Sequence, residues 1–429
     1  MTGCTNVPPP KSLKETLEFA GALSSQGLGN SVGKELQRRV KEYAEKIDVA
    51  SNFTSTLDRL QQLREKLVHN SGTYGSYANL SSQPVCLAHT VSASFPKLYC
   101  TLCYFNFNIN GENYGGWGWK SKQCSDSQGL STWLTSGNEI PSVSGQNSSA
   151  TIWRGGGVKC SNTSEFSSQL KDCVEDNGSK FPMLLSGILF LQPSHPELTS
   201  TFLMLVKEIC IIVCGNVGND AGDGEHGRES RKKLCETFKS QYGSVPDYGS
   251  LNACCSSLKS SIEQLVGKES GGDETSPLRI PNSSHKLYEN KLQSKHFPNY
   301  LQWLSQNLPS LIENLNLMKA DCTSWDSQNM SEGQASGPFP YGFGFSIKWS
   351  NGQEVQSTIH QLTDEGPNHG LPALRGHVKK LIASSTSSSA GSIAGGLLGT
   401  AAVGGTGAAV ALNAGGVTTA LKGAIGIFK

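Results

Sequence analysis

The sequence predicts a mostly helical chain, α+β overall, with a cysteine-rich strand-and-loop insert and a glycine- and alanine-rich transmembrane helix near its C-terminus. Three observations carry this. Apolar residues recur at helical spacing over residues 12–69 and again over 297–325. Eleven of the thirteen cysteines fall between Cys86 and Cys255. Between Lys380 and Lys422 there are 41 residues without a charge.

Residues 12–69 form an N-terminal helical segment. Ser12-Leu13-Lys14-Glu15 has the capping-box pattern, with Leu13, Leu17 and Ala20 following on one face. Gly27 to Gly33 breaks the run; Leu36, Val40, Tyr43 and Ile47 mark a second helix, and Phe53, Leu57, Leu60 and Leu67 a third. Residues 70–182 are the Cys/Gly/Ser-rich insert. There Phe105, Phe107 and Ile109 alternate with Asn106, Asn108 and Asn110, a strand period, and Asn110-Gly111 is a hairpin signal that places Trp117 and Trp119 on one face of a returning strand.

Residues 183–268 are an apolar helical region with a Gly-rich loop at 215–227. Met183 to Leu191 is too short to cross a bilayer, and Leu198 to Cys214 contains Lys207 and Glu208, so both read as buried helices. Arg231-Lys232-Lys233 reads as a solvated helix face. Residues 278–383 combine helices with an aromatic strand. Leu301, Leu304, Leu308, Leu311, Leu315, Met318, Cys322 and Trp325 make a heptad stripe. Pro309 lies inside it and predicts two helices sharing a core rather than one coiled coil. Pro338 to Trp349 alternates large side chains as a strand does.

Residues 384–390 are a Ser/Thr spacer and 391–429 a membrane anchor. From Gly391 to Leu421 there are nine Gly, eight Ala and eight large aliphatics. The span is placed at Ile393 to Leu412, with Gly391, Gly395 and Gly399 every fourth residue as helix-packing glycines. A flexible Gly/Ala linker is the competing reading, weakened by the Leu, Ile and Val content and the lack of charge.

The balance of 36 Lys plus Arg against 35 Asp plus Glu excludes a broad nucleic-acid footprint. Gly222 to Gly227 matches the glycine-rich dinucleotide string, but it follows no strand and its acidic flanks repel a pyrophosphate. No P-loop or zincin motif occurs. Cys100-x-x-Cys103 is a single knuckle where zinc needs four ligands. No catalytic, cofactor-binding or metal residue is assigned, and no cofactor is expected. The cysteine density suits an oxidising exterior, although the chain opens without an apolar signal. Disulfide candidates are Cys86, Cys100, Cys103, Cys124, Cys160, Cys173, Cys235, Cys254, Cys255 and Cys322. On a strand Cys100 and Cys103 face opposite ways and each pairs elsewhere. Cys210 and Cys214, a helical turn apart, read as buried thiols or partners of distant cysteines, and Cys4 as a free thiol. Seven Asn-x-Ser/Thr sequons, at Asn52, Asn79, Asn147, Asn162, Asn177, Asn282 and Asn329, suggest surface loops.

Three blocks resemble the variant erythrocyte surface antigens of Babesia parasites. The first is Pro10 to Phe19. The second runs from His296 through Tyr300-Leu301-Gln302-Trp303-Leu304, Leu308-Pro309-Ser310-Leu311-Ile312 and Cys322-Thr323-Ser324-Trp325 to Gly337-Pro338-Phe339-Pro340-Tyr341-Gly342-Phe343. The third is the tail from Ala390 to Phe428. The resemblance implies a membrane-anchored, antigenically variable adhesin without catalysis. It would be exported to the infected red-cell surface without a standard signal peptide, pair with a related antigen subunit and bind a host cell-surface receptor. The other expectation is a tail-anchored intracellular structural or interaction protein with reduced cysteines.

Overall fold

Ser12 Oγ accepts from the Glu15 amide at 3.2 Å and starts the first helix, while Glu15 Oε2 accepts from the Lys11 amide at 2.8 Å. In a computed structural model of the protein the described residues are 7–68, 74–80, 83–110, 128–137, 152–159, 163–174, 180–215, 225–268, 276–278, 280, 282–325, 337–343, 352–366 and 369–396. Residues Met1–Ser384 make one unit and Ser385–Lys429 a second.

The N-terminal helices are α1 (Leu13–Ser25), α2 (Gly29–Ala44) and α3 (Val49–Leu67). Each turns its apolar stripe inward: Leu17, Val32, Leu36, Phe53 and Leu60 are fully buried. The first turn of α1 is also held from far along the chain. The amides of Leu13 and Lys14 donate to the carbonyls of Arg154 and Gly155, both at 3.0 Å.

The central element is α4 (Pro84–Asn110), which packs on α1, α2, α6 (Ser167–Val174) and α7 (Phe181–Ile188). Between α4 and α6 the chain forms α5 (Gln128–Thr135). Next come α8 (Thr199–Cys214), α9 (Glu225–Tyr242), α10 (Tyr248–Val266) and the single turn α11 (Asn282–His285). Then follow α12 (Phe297–Asp321), α13 (Gly352–Thr363) and α14 (Gly370–Gly396). Helix α8 lies against α7, α9, α10 and α12, and α13 bridges α10 and α12.

This corrects the α+β class, because no strand occurs among the described residues. The expected strand of Phe105, Phe107 and Ile109 is the last part of α4. Its Asn/aromatic alternation misleads because both sets are interior: Asn106 is 5 % exposed and Asn108 1 %. Asn108 Nδ2 donates back to the Tyr104 carbonyl at 2.8 Å, so the amide is satisfied within the helix. The aromatic strand is corrected too. Phe339–Tyr341 is a 3-10 turn ended by Gly342 at φ 79°, where a side chain would meet the Glu197 carbonyl. Phe339, Tyr341 and Phe343 are all buried, because the turn folds them into the core instead of alternating them. Gly111, Trp117, Trp119 and residues 344–349 lie outside the described residues.

The two helices expected around Pro309 are one helix, α12. Proline removes the amide that would bond the Ser305 carbonyl. Arg375 Nε, from α14, donates to that carbonyl at 3.3 Å and replaces the lost bond. The stripe Leu301, Leu304, Leu308, Leu311, Leu315 and Met318 is buried along the whole length.

The transmembrane expectation is also corrected: among the described residues no helix is long and apolar enough to cross a membrane. Gly391 and Gly395 fall in the last turns of α14, whereas Gly399 and most of Ile393 to Leu412 lie outside the described residues. The physical reason is composition. In α14 the charged residues Arg375, Lys379 and Lys380 and the run of serines precede the Gly/Ala segment, and neither Gly nor Ala adds much hydropathy.

Candidate functional site

Helix α8 is apolar enough that almost every side chain is covered, including Lys207 and Glu208. Buried charges need partners. Arg231 of α9 meets Glu208 through two hydrogen bonds, Nε to Oε1 and Nη2 to Oε2, both 3.1 Å. Lys207 lies 3.4 Å from Glu263 of α10, which Lys259 also approaches at 3.6 Å. Arg231 is therefore 6 % exposed and not on a solvated face, while Lys232 and Lys233 are exposed.

The same three helices gather five cysteines. Cys210 and Cys214 sit a turn apart on α8, Cys235 on α9, and Cys254 and Cys255 adjacent on α10. The Cys214 thiol donates to the Asn252 carbonyl at 3.4 Å and Cys235 to the Ile211 carbonyl at 3.7 Å, tying α8 to α10 and to α9. Cys254 donates to the Gly370 carbonyl at 3.7 Å, at the start of α14. Burial pushes the Cys254 thiol up to about 12, with Cys210 and Cys214 adding to the effect. Burial likewise raises Cys214 to about 12 and Cys235 to about 11, and raises Cys255 well above the ordinary thiol range. These thiols stay protonated at neutral pH and are poor nucleophiles.

The oxidised framework is thereby corrected. Cys100, Cys103, Cys173, Cys210, Cys214, Cys235, Cys254, Cys255 and Cys322 are free thiols. Of the described cysteines Cys86 alone is disulfide-bonded. Cys4, Cys124 and Cys160 lie outside the described residues. The reason is placement: the free thiols are inside helical packing, where a cysteine behaves as a small apolar side chain. Cys100 and Cys103 belong to α4, so they lie near one helix face and not on opposite faces of a strand, and burial raises both. Among the described residues no group of three or more His, Cys, Asp or Glu is arranged to hold a metal ion.

A second polar cluster joins α14 to the start of α10. His377 Nδ1 lies 2.6 Å from Asp247 Oδ2, and Lys380 Nζ lies 3.4 Å from Oδ1. Burial alone would raise the Asp247 carboxyl; its His377 and Lys380 contacts outweigh this and hold it below the usual range. The remaining sequence features are dispersed. Glu225 to Gly227 of the glycine-rich string opens α9, and Gly222 to Gly224 lie outside the described residues. Asn52, expected on a surface loop, is buried in α3. Sequence reasoning missed the Glu208–Arg231 pair, whose signal was two charges inside an apolar helix that had to be answered from elsewhere.

No family model, curated protein or solved structure matches the chain.

Proposed function

We propose that the chain is a non-catalytic antigen and adhesin displayed at the surface of a parasitised red cell. It would associate with a related antigen subunit and bind a host cell-surface receptor. One observation carries this reading: two blocks that resemble the surface-antigen family are structural framework. Block one supplies the cap and first turns of α1, with Leu13, Leu17 and Phe19 fully buried. Block two supplies α12 and the turn that follows, where the Tyr341 hydroxyl donates to the buried Asp321 carboxylate. The resemblance implies that the Cys-, Gly- and Ser-rich middle carries the variation. The test is protease treatment of intact infected cells, followed by a pull-down of the native protein. Loss of the protein from unpermeabilised cells together with recovery of a related subunit supports display; full protection from protease overturns it.

One observation favours a second reading, an intracellular structural or interaction protein. Nine of the ten described cysteines are free thiols, as in a reducing compartment. Protection of the protein until the cells are permeabilised is its expected outcome.

A further inference from the structure

A groove of about 580 Å³ opens between the outer face of α12 and the junction of α13 with α14. Its floor is apolar: Pro309, Ile312 and Leu317 from α12, and Pro372 from α14. Ile312 and Leu317 are only half-buried, so the heptad stripe on the other face of α12 does not use them. The end wall is Arg375, whose Nε is held by the Ser305 carbonyl at 3.3 Å. That bond exists because Pro309 released the carbonyl, so the proline shapes both the floor and the wall.

The rim is acidic. Glu313 and Glu365 both line the groove and both are exposed. Neither has an ion-pair partner among the described residues, although the carboxylates of Glu35, Glu208, Glu263 and Asp247 all do. With Arg375 as the one cation of the lining, the two rim carboxylates leave the groove net acidic above an apolar floor, so a ligand with apolar and cationic groups complements it. The volume falls within the ~300–1,000 Å³ of ordinary ligand pockets, enough for a few side chains.

We propose that this groove docks a short peptide segment of a partner protein, apolar side chains against Ile312 and Leu317 and a lysine or arginine against Glu313 and Glu365. The apolar contacts hold the segment, and the rim charges select its sign and speed its arrival. The inference is independent of where the protein resides, so it survives failure of the display reading.

The probe is a short fluorescein-labelled peptide of alternating leucine and lysine, read by fluorescence anisotropy against the full chain at low salt. Its counterpart with glutamate in place of lysine is the charge control. The Glu313→Gln/Glu365→Gln variant is expected to weaken the leucine–lysine peptide by about tenfold. Leu317→Ser should weaken it further, and circular dichroism of both variants should match the parent. Asp58→Asn/Glu65→Gln, which removes two exposed carboxylates from α3, should leave binding unchanged. The proposal is overturned if the α3 variant loses as much as the groove variant, if the leucine–glutamate peptide binds equally well, or if neither peptide binds.

Discussion

Helices α4 and α12 are the two long helices that carry a proline in their interior, Pro96 and Pro309, yet they solve the covering of their surfaces differently. Helix α12 is amphipathic, with Leu304, Leu308 and Leu315 fully buried and Gln302, Gln306 and Glu313 in water. Helix α4 is central: from Val91 to Ile109 all residues but Ala93 and Lys97 are buried. Several of its polar side chains therefore bond back to the helix itself. Ser92 donates to the Ala88 carbonyl at 2.9 Å, Ser94 to Thr90 at 2.7 Å, and Thr101 to Lys97 at 2.8 Å. The difference teaches that an interior helix can be rich in Ser, Thr and Asn without a solvated face. Period then stops discriminating between helix and strand.

The comparison is broken most severely by mutation in α4. Phe105 stacks on Trp133 at 4.4 Å and Phe166 at 5.4 Å between centroids, so Phe105→Ala should cost about 3–5 kcal/mol in urea unfolding. Asn108→Asp tests the helix against a strand directly. On a solvated strand face it would cost little. In a position 1 % exposed it should cost on the order of 3 kcal/mol at neutral pH, and less in acid, where the new carboxyl is protonated. Equal stability of this variant and the parent would sink the buried-helix account.

Helix α12 offers a sharper, smaller test. Arg375→Met strands the Ser305 carbonyl and should cost about 1–2 kcal/mol. Pro309→Ala restores an amide that can bond the same carbonyl, so the two changes should be non-additive, with Arg375→Met nearly free in the Pro309→Ala background. Additive costs would show that Arg375 does not replace the missing bond.

The smallest effect belongs to the solvated face of α2. Arg38 and Arg39 both reach Glu35 at 2.8 Å. The Arg38 hydrogen bond, partly opposed by burial and reinforced by Arg39, lowers the Glu35 carboxyl from 4.5 to about 2. A folded-state value below the unfolded one means the contribution is complete above about pH 4.5 and fades as pH falls toward 2. Arg38 is largely exposed, so Glu35→Gln should cost only about 0.5–1 kcal/mol at neutral pH and nothing further at pH 2. Urea midpoints of parent and variant across this range check it.

What could be read from the sequence follows the same division. The cap at Ser12, the stripes of α1–α3 and the heptad of α12 are legible because one side of each helix meets water, so hydropathy records the period. The end of α4 is not, because Phe105, Asn106, Phe107 and Asn108 are all enclosed and their order no longer reports a face. Continuity through Pro309 was illegible as well, since the donor that rescues it lies 70 residues away in sequence. Density of cysteine suggested oxidation, but five of the thiols sit on helices whose mutual packing already holds them in place. Of the groove, the proline was conspicuous in the sequence; of the two carboxylates that rim it, one comes from α12 and the other from the link between α13 and α14, and they meet only after folding.

The backbone bonds that Arg154 and Gly155 provide to α1 set a timetable for synthesis. The amides of Leu13 and Lys14 leave the ribosome about 140 residues before the carbonyls they bond. At the ~5–20 residues per second of chain elongation, that is a wait of roughly 7–30 s. Through that interval α1–α3 can pair among themselves, but the first turn of the molecule has only the local capping bonds of Ser12 and Glu15 to close it. The beginning of the chain is thus finished by its middle, and a nascent fragment cut short before residue 154 keeps a frayed start however well its three helices pack.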